Sequence, residues 1–478
     1  MKKKIALLMA CVLVMGCFGA CGGGDKTANT DIPTLKWYVP GTTPADADLV
    51  EAEINKIIEP EVGAKLDFVY LDSGAYDEKT NMMMASGDSF DLAFSGWINT
   101  YTRGVSLEGF MKLNDYLDKA PALKAAIPQY AWDAVKVNGE DIYAIPNVQI
   151  YAMWQALYVT KEYADKYGLD ASKFETMDDL VPFMEQVSKN EKDVYTYKPG
   201  IYPWAYYDSS TVIPGMPMIR VRNDDEECKA YLCYETDEYY EGVKALRSYY
   251  QNGYIRKDIA SSSGDSTSSK PTVITAGAFK PGALEDIARS ERGECVAIPL
   301  GEPCVNAEMS TQTLTAIGAN CKYPEKAIKI MELVNTNMDV YHLIVHGIKG
   351  KHYEETEDGH IKPINIKNYN FHDVGWYFGN QFNSRVPEGK SLDVWEQMED
   401  LNNNAVKSKL LGFSFDSTNV VNELANISAI YKEYIGLLDG SVETDSTLEA
   451  FKAKMKTAGV EKVLAEVQKQ IDEFLKKK

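Results

Sequence analysis

The sequence predicts an α/β protein with a helical C-terminal region. Short apolar segments at 35–39 and 65–70 flank a segment with apolar residues at helical spacing, which together form a βαβ unit. A third apolar run at 90–94 follows a methionine-rich helix that ends at Gly87. Such alternation is typical of α/β domains. From 420 to 471, apolar residues instead recur every three or four positions, which predicts packed helices.

The same alternation continues through the middle of the chain. Apolar runs at 152–160, 272–276, 294–299 and 311–318 are predicted strands, and 324–338 is a predicted helix with one apolar face.

Two other segments lack such patterns. The stretch at 195–207 is rich in tyrosine but contains two prolines and a glycine, so we expect a loop. The serine-rich stretch at 261–271 is also predicted to be a loop.

The first residues have the layout of an export signal. Lysines at 2–4 precede an uncharged apolar stretch at 5–20, which is shorter than the about 20 residues that span a bilayer. Small residues then lead to Cys21 and three glycines, an arrangement similar to a bacterial lipoprotein signal. We therefore predict that 1–20 is a signal peptide, that Cys21 (alternatively Cys17) is lipidated, and that 21–32 is a flexible tether. A short transmembrane anchor is the alternative.

Composition limits the classes of partner. The 478 residues hold two or three domain-sized units, and the formal net charge is −20. Nucleic acids and anionic lipid surfaces attract clusters of lysine and arginine, so neither is expected as a partner. Five cysteines lie after the signal, and an exported protein can form disulfides. Cys228 with Cys233, and Cys295 with Cys304, are close enough in sequence to pair, but the pairing stays open.

The sequence has few motifs that indicate a catalytic or metal-binding site. We find no phosphate-binding glycine loop, no G-x-S-x-G and no H-E-x-x-H. His342 and His346 have a spacing that could bind a metal, but no acidic residue lies between them. We predict no metal, no cofactor and no enzymatic activity; a glycosidase with paired carboxylates is the alternative from another class.

Several segments, in their order along the chain, carry a family resemblance. The motifs are Met84-Ala85-Ser86-Gly87-Asp88-Ser89-Phe90-Asp91-Leu92, Leu113-Asn114-Asp115-Tyr116-Leu117, Gly139-Glu140-Asp141-Ile142-Tyr143-Ala144-Ile145-Pro146, Leu314-Thr315-Ala316-Ile317, Pro324-Glu325-Lys326-Ala327 and Gly412-Phe413-Ser414-Phe415-Asp416. Together they make the chain resemble the extracellular solute-binding proteins of bacterial ABC importers. The resemblance is to the maltose-binding-like type, and to its lipoprotein subgroup with a distinctive C-terminal domain.

This resemblance implies a two-lobed, periplasmic-binding-protein-like (type II) fold with hinge strands and a ligand cleft. By analogy, the first lobe comprises 33–150 and 278–335, and the second comprises 155–272 and 336–478 with the helical C-terminal region. It also implies a monomer that delivers a small solute to an ABC permease. We expect the protein on the outer face of the cytoplasmic membrane, held there only by its lipid.

The ligand that these residues favour is an oligosaccharide. The chain has 30 tyrosines and seven tryptophans, and aromatic rings pack against the apolar face of a sugar while polar groups bind its hydroxyls. Ligands of α/β sheets bind beyond the carboxyl ends of strands. The candidate residues in such positions are Thr42, Ser95, Trp97, Asn99, Tyr101, Gln149, Tyr151, Tyr202, Trp204, Tyr206, Trp376, Asn380 and Gln381. A peptide or amino-acid derivative is the alternative ligand, and it would need a charged anchor such as Arg103 or Arg385.

Overall fold

The computed structural model describes residues 32–478 except 89, 100, 138, 153, 201–207, 262–269 and 291, and describes only the backbone of 372 and 373. The predicted α/β fold with a helical C-terminal region is confirmed. Strands run over Thr34–Pro40, Lys65–Leu71, Leu92–Gly96, Lys136–Val137, Asp141–Ile142, Ala144–Pro146, Trp154–Thr160, Tyr195–Tyr197, Ser209–Thr211, Ile219–Arg222, Ala230–Leu232, Thr272–Phe279, Cys295–Leu300, Cys304–Val305, Thr313–Ile317, Tyr353–Glu355, Ile361–Pro363 and Val406–Lys407.

The described α-helices run over Ala47–Val62, Ser73–Ser86, Tyr101–Ser106, Asn114–Leu117, Pro121–Ala126, Gln129–Ala134, Lys161–Tyr167, Val181–Asn190, Asp237–Gln251, Ala283–Ala288, Ala307–Ser310, Pro324–Thr336, Met338–His346, Val394–Asn404, Val421–Glu433, Gly436–Asp439, Thr444–Thr457 and Val460–Lys477. Short 3₁₀ turns include Phe371–Tyr377 and Gln381–Asn383.

The first lobe is built on a five-stranded sheet. From one edge to the other its strands are Lys65–Leu71, Thr34–Pro40, Leu92–Gly96, Thr313–Ile317 and Ala144–Pro146. The first three are parallel, and Thr313–Ile317 runs against both of its neighbours. The carboxyl ends of the parallel strands and the start of Thr313–Ile317 therefore meet at one edge of this sheet.

The second lobe has a four-stranded sheet of its own. Its order is Cys295–Leu300, Trp154–Thr160, Thr272–Phe279 and Tyr195–Tyr197. Trp154–Thr160 is antiparallel to both of its neighbours, so its first residue lies beside the last residue of Thr272–Phe279. There the rings of Trp154 and Phe279 meet edge to face with centroids 5.0 Å apart.

The C-terminal helices share a core with a second, smaller sheet. This three-stranded antiparallel sheet has the order Ala230–Leu232, Ile219–Arg222, Ser209–Thr211. Val463, Val467 and Ile471 lie on one face of the last helix and are fully buried in that core. The helical spacing noted in the sequence is therefore the spacing of the buried face.

The structure corrects the predicted lobe boundaries in two places. Strand Cys295–Leu300 was placed in the first lobe, but it pairs along its whole length with Trp154–Thr160 in the second. Helix Met338–His346 was placed in the second lobe, but only Asn337 separates it from Pro324–Thr336, and its buried side chains join the first-lobe core. Phe378, further along, packs edge to face on Trp37 of that core at 5.5 Å.

Smaller expectations also change. Tyr195–Tyr197 is a strand rather than part of a loop, because it pairs with Thr272–Phe279. The five cysteines after residue 31 are buried free thiols, so neither of the two pairings that the sequence left open is formed. His342 accepts a hydrogen bond from the Arg385 amide, and His346 is hydrogen-bonded to the Ser384 hydroxyl.

Within the described part of the chain, we find no helix long and apolar enough to cross a membrane.

Glu51 on helix Ala47–Val62 makes the stability of the first lobe depend on pH. Its half-buried carboxyl accepts a hydrogen bond from the Phe68 amide, yet burial and the nearby Asp67 and Asp48 raise its pKa to about 7. A raised carboxyl pKa contributes stability that is complete below the unfolded pKa of about 4.3 and is lost as pH rises through about 7.

Glu51→Gln is therefore expected to flatten the fall in melting temperature between about pH 5 and about pH 8. Glu61→Gln, at an exposed position of the same helix, is the matched control and should melt like the parent protein at every pH. A Glu51→Gln profile parallel to the parent profile would contradict this assignment. The measurement is thermal unfolding followed by circular dichroism.

Candidate functional site

The segment from Asn147 to Ala152 joins the two sheets and is held from both sides. Asn147 Nδ2 donates to the Tyr377 carbonyl at 2.6 Å, and Gln149 Nε2 donates to Thr313 Oγ1 at 2.7 Å. The Val148 amide donates to the Gly379 carbonyl at 2.6 Å. This connection is therefore an irregular segment that hydrogen bonds hold between two neighbouring parts of the chain.

Asn402, on helix Val394–Asn404, anchors the far end of this segment. Its Oδ1 accepts from the amides of Tyr151 at 2.7 Å and Ala152 at 3.0 Å, and its Nδ2 donates to the Gln149 carbonyl at 2.7 Å. The side chain is fully buried. One amide thus satisfies three backbone groups at the point where the chain leaves the first lobe.

A first cavity of about 270 Å³ lies between the lobes. This volume is just below the roughly 300–1,000 Å³ that is typical of ligand pockets. Trp97 and Gln312 line it from the first lobe, and Ser210 and Thr211 from the second, together with the segment at 408–415. It therefore lies at the sheet edge where the sequence placed the ligand.

The turn after strand Leu92–Gly96 directs Trp97 outward. Ser95 Oγ and the Gly96 amide both donate to the Asn99 carbonyl, at 2.9 and 2.7 Å. A Cβ atom at Gly96 would lie 1.8 Å from the Gln312 carbonyl oxygen, so this close approach requires glycine. Trp97 remains 47% exposed, which is unusual for tryptophan and leaves a ring face available to a ligand.

A second cavity, of about 430 Å³, also has walls from both lobes. Tyr341, Trp376 and Gln381 line it from the first-lobe side, while Lys280 and the helix Ala283–Ala288 contribute from the second lobe. Trp376 is half-buried, and its ring meets Tyr377 edge to face at 4.4 Å. Trp97 and Trp376 therefore line different cavities.

Five predicted site residues instead have internal roles. The Tyr101 hydroxyl donates to the Val135 carbonyl and accepts from the Tyr143 amide, so only the edge of this buried residue borders the first cavity. Asn99 Nδ2 donates to Thr80 Oγ1, and the Tyr151 hydroxyl donates to the Asn147 carbonyl. The others are Ser95 and Gln149, whose hydrogen bonds are given above. The sequence placed them correctly at strand ends but did not reveal these partners.

The remaining predicted residues divide three ways. Thr42 is exposed and lies outside both cavities. Asn380 caps the turn Gln381–Asn383 by accepting from the Phe382 amide, whereas its neighbour Gln381 lines the second cavity. The loop candidates Tyr202, Trp204 and Tyr206 fall outside the described residues.

Sequence reasoning missed many of the lining residues, among them Gln312, Lys280 and Ser210. Gln312 could have been found as the residue before a strand that runs antiparallel to its neighbours, and Lys280 as the residue after Thr272–Phe279. Ser210 lies on a short strand without any sequence signal.

The anchors of the alternative functions are not in place. Arg385 pairs with Glu355 at 3.3 Å and lines neither cavity, and Arg103 is exposed outside both. Glu308 is the single carboxylate among the described residues that line the first cavity. Its basic lining residue, Lys136, is already paired with Asp133 at 2.6 Å.

Comparison with known proteins shows what the chain is similar to. It is 29% identical, over all of its length and 99% of the other protein, to a carbohydrate ABC transporter substrate-binding protein of Streptococcus pneumoniae. The chain is therefore similar over its full length to a substrate-binding protein of an ABC transporter. Residues 409–476 of the chain match a family model described as a domain of unknown function (DUF3502).

Solved structures agree with this placement. The N-glycan transport solute-binding protein (NgtS) of Streptococcus pneumoniae is 27% identical, with 93% of this chain and 99% of that chain aligned at a TM-score of 0.84. The same protein in complex with Man5GlcNAc aligns over 93% and 99% with a TM-score of 0.72. The two-lobed fold implied by the sequence resemblance is thereby confirmed.

Proposed function

We propose that this solute-binding protein captures an oligosaccharide in the first cavity and delivers it to a membrane permease. The observation that carries the proposal is the exposed indole of Trp97 beside the side chains of Gln312 and Glu308 in that cavity. An aromatic face next to amide and carboxylate groups is the surface that a sugar ring and its hydroxyls require.

The polar groups in this cavity are available to a ligand. Among the described residues, neither the Gln312 amide group nor the Glu308 carboxylate has a side-chain hydrogen-bond or ion-pair partner. A ligand that buries such an amide or carboxylate without pairing it loses about 1–3 kcal/mol, so hydroxyl-rich ligands are favoured over apolar ones. The relatives named for carbohydrate and N-glycan transport support the same class of ligand.

The cavity favours a sugar over a peptide. A free peptide or amino acid presents a carboxylate that needs a cation, and in the first cavity the basic lining residue, Lys136, is already paired with Asp133. Retaining glycosidases place two carboxylates about 5–5.5 Å apart, whereas Glu308 lacks such a partner among the described lining residues. We therefore propose that the protein binds the sugar and does not cleave it.

Anchoring at the membrane belongs to the same proposal. A lipid on Cys21 and the polar tether after it would keep the binding protein close to its permease and raise its effective concentration there. Mass spectrometry of the mature N-terminal peptide is expected to find a lipidated Cys21. A mature peptide that starts at Cys17 would move the cleavage site, and an uncleaved N-terminus would contradict the anchor.

The function is tested by isothermal titration against a panel of neutral oligosaccharides and a panel of short peptides. We expect a saturable signal with at least one oligosaccharide, none with the peptides, and recovery of the sugar unchanged by chromatography. Binding of peptides alone would overturn the proposed ligand class, and a shortened sugar product would overturn the transport function.

A further inference from the structure

Lys280 is placed where a ligand between the lobes would meet it. It directly follows strand Thr272–Phe279, and its carbonyl accepts from the Ala283 amide in the turn that leads to helix Ala283–Ala288. Its side chain lines the second cavity, opposite Trp376 and Gln381 of the first-lobe side. A lysine at this position reaches the cavity from the carboxyl edge of the second sheet.

The Lys280 ammonium group lacks a partner. In the part of the chain that the structure describes, no carboxylate lies within ion-pair distance of it and no acceptor within hydrogen-bond distance. Burial and the nearby charge of Lys390 lower its pKa. A partly buried cation without an acceptor is costly, and burial beside a second cation adds to that cost.

Asp286, the carboxylate that lines this cavity, is already paired with other cations. Asp286 accepts from Lys390 at 2.8 and 2.9 Å and from Arg289 at 2.5 Å. The described lining of the second cavity thus has three cationic side chains and one carboxylate, in a chain whose net charge is −20. Positive charge is concentrated here against the overall balance of the protein.

A second unsatisfied donor lines the same cavity. The indole nitrogen of Trp395 is buried and has no hydrogen-bond acceptor among the described residues. Its ring also lies beneath the ammonium group of Lys390, with the nitrogen 5.8 Å from the ring centroid. Two donors without acceptors, together with excess positive charge, call for a ligand that brings negatively charged acceptor atoms.

We propose that the second cavity binds the carboxylate of an acidic sugar unit, with Lys280 as its charge partner and the Trp395 N–H as a further donor. Trp376 offers an aromatic surface to the ring that carries this carboxylate, and Gln381 lines the same wall. The proposal rests on the function proposed above and narrows its ligand class from oligosaccharides in general to acidic ones. A sulfated sugar shares the negative charge but differs in geometry, so it forms a separate arm of the test.

The test is isothermal titration with matched pairs of probes. The pairs are trigalacturonate with its neutral methyl ester, sialyllactose with lactose, and a sulfated lactose with lactose. We expect at least one carboxylated probe to bind about tenfold or more tightly than its neutral partner. Lys280→Met, which keeps the length of the side chain, should remove this preference while leaving binding of neutral oligosaccharides within about twofold.

Two further variants separate charge from packing. Trp395→Phe keeps the ring and removes the N–H, and should reduce the preference for the carboxylated probe about threefold or more. Lys119→Met removes an exposed lysine on the first lobe, away from both cavities, and should change nothing. Circular dichroism checks that each variant is folded.

The outcomes distinguish the two proposals. If neutral oligosaccharides bind as well as carboxylated ones, if the preference survives Lys280→Met, or if the sulfated probe alone is preferred, the acidic-sugar proposal is overturned and the transport function stands. If no oligosaccharide of either kind binds, the proposed function itself fails, and this inference with it.

Discussion

Replacing Trp97 with alanine is expected to weaken oligosaccharide binding by about 70-fold. A sugar that covers roughly 100 Å² of the exposed indole removes that area from water, and at about 25 cal/mol per Å² this contributes about 2.5 kcal/mol. The melting temperature should change by less than about 2 °C, because Trp97 is 47% exposed and packs little in the free protein. Isothermal titration and thermal unfolding measure the two effects.

Tyr323→Ala is the matched control for this variant. Tyr323 is also an exposed aromatic residue, at 43%, but it precedes helix Pro324–Thr336 and lines neither cavity. The Tyr323→Ala variant should bind the sugar with unchanged affinity. Unchanged affinity in Trp97→Ala as well, or a loss of equal size in both variants, would show that the indole is not a ligand surface.

Asn402→Leu is expected to give the largest loss of stability. The substitution keeps the branched shape of the side chain, although leucine is somewhat larger, and it leaves the amides of Tyr151 and Ala152 and the Gln149 carbonyl without partners in a buried site. Each such group costs about 1–3 kcal/mol, so the total should reach at least about 3 kcal/mol. We expect the melting temperature to fall by roughly 5 °C or more.

Asn403→Leu provides the comparison on the neighbouring residue of the same helix. Its side chain is exposed, so its melting temperature should stay within about 2 °C of the parent. Equal melting temperatures for Asn402→Leu and Asn403→Leu would contradict this prediction. They would show that the Asn402 hydrogen bonds do not stabilise the segment from Asn147 to Ala152.

Much of the fold could be predicted because local patterns specify it. Strands Thr34–Pro40 and Lys65–Leu71 and the helices after residue 420 follow from apolar periodicity and from glycines that end helices. What could not be predicted is which sheet a strand joins. The apolar run at Cys295–Leu300 suits either lobe, and only its pairing with Trp154–Thr160 places it in the second.

The site was harder to predict than the fold for a physical reason. Position after a strand identifies which residues approach the cleft, but not whether their polar atoms are already satisfied. Tyr101 and Gln149 approach it, but the Tyr101 hydroxyl already donates to the Val135 carbonyl. The Gln149 amide already donates to the Thr313 hydroxyl. Trp97 differs because its indole, which follows the tight turn at Gly96, remains 47% exposed. Lys280 stands out only once Asp286 is seen to be occupied by other cations.

The most direct test of the central claim is a crystal structure of the protein with an oligosaccharide that titration has shown to bind. We expect density for the sugar between the lobes, with one ring against the indole of Trp97 and polar contacts to Gln312 or Glu308. Sugar density on an outer face of either lobe, with Trp97 and Trp376 both uncovered, would contradict it.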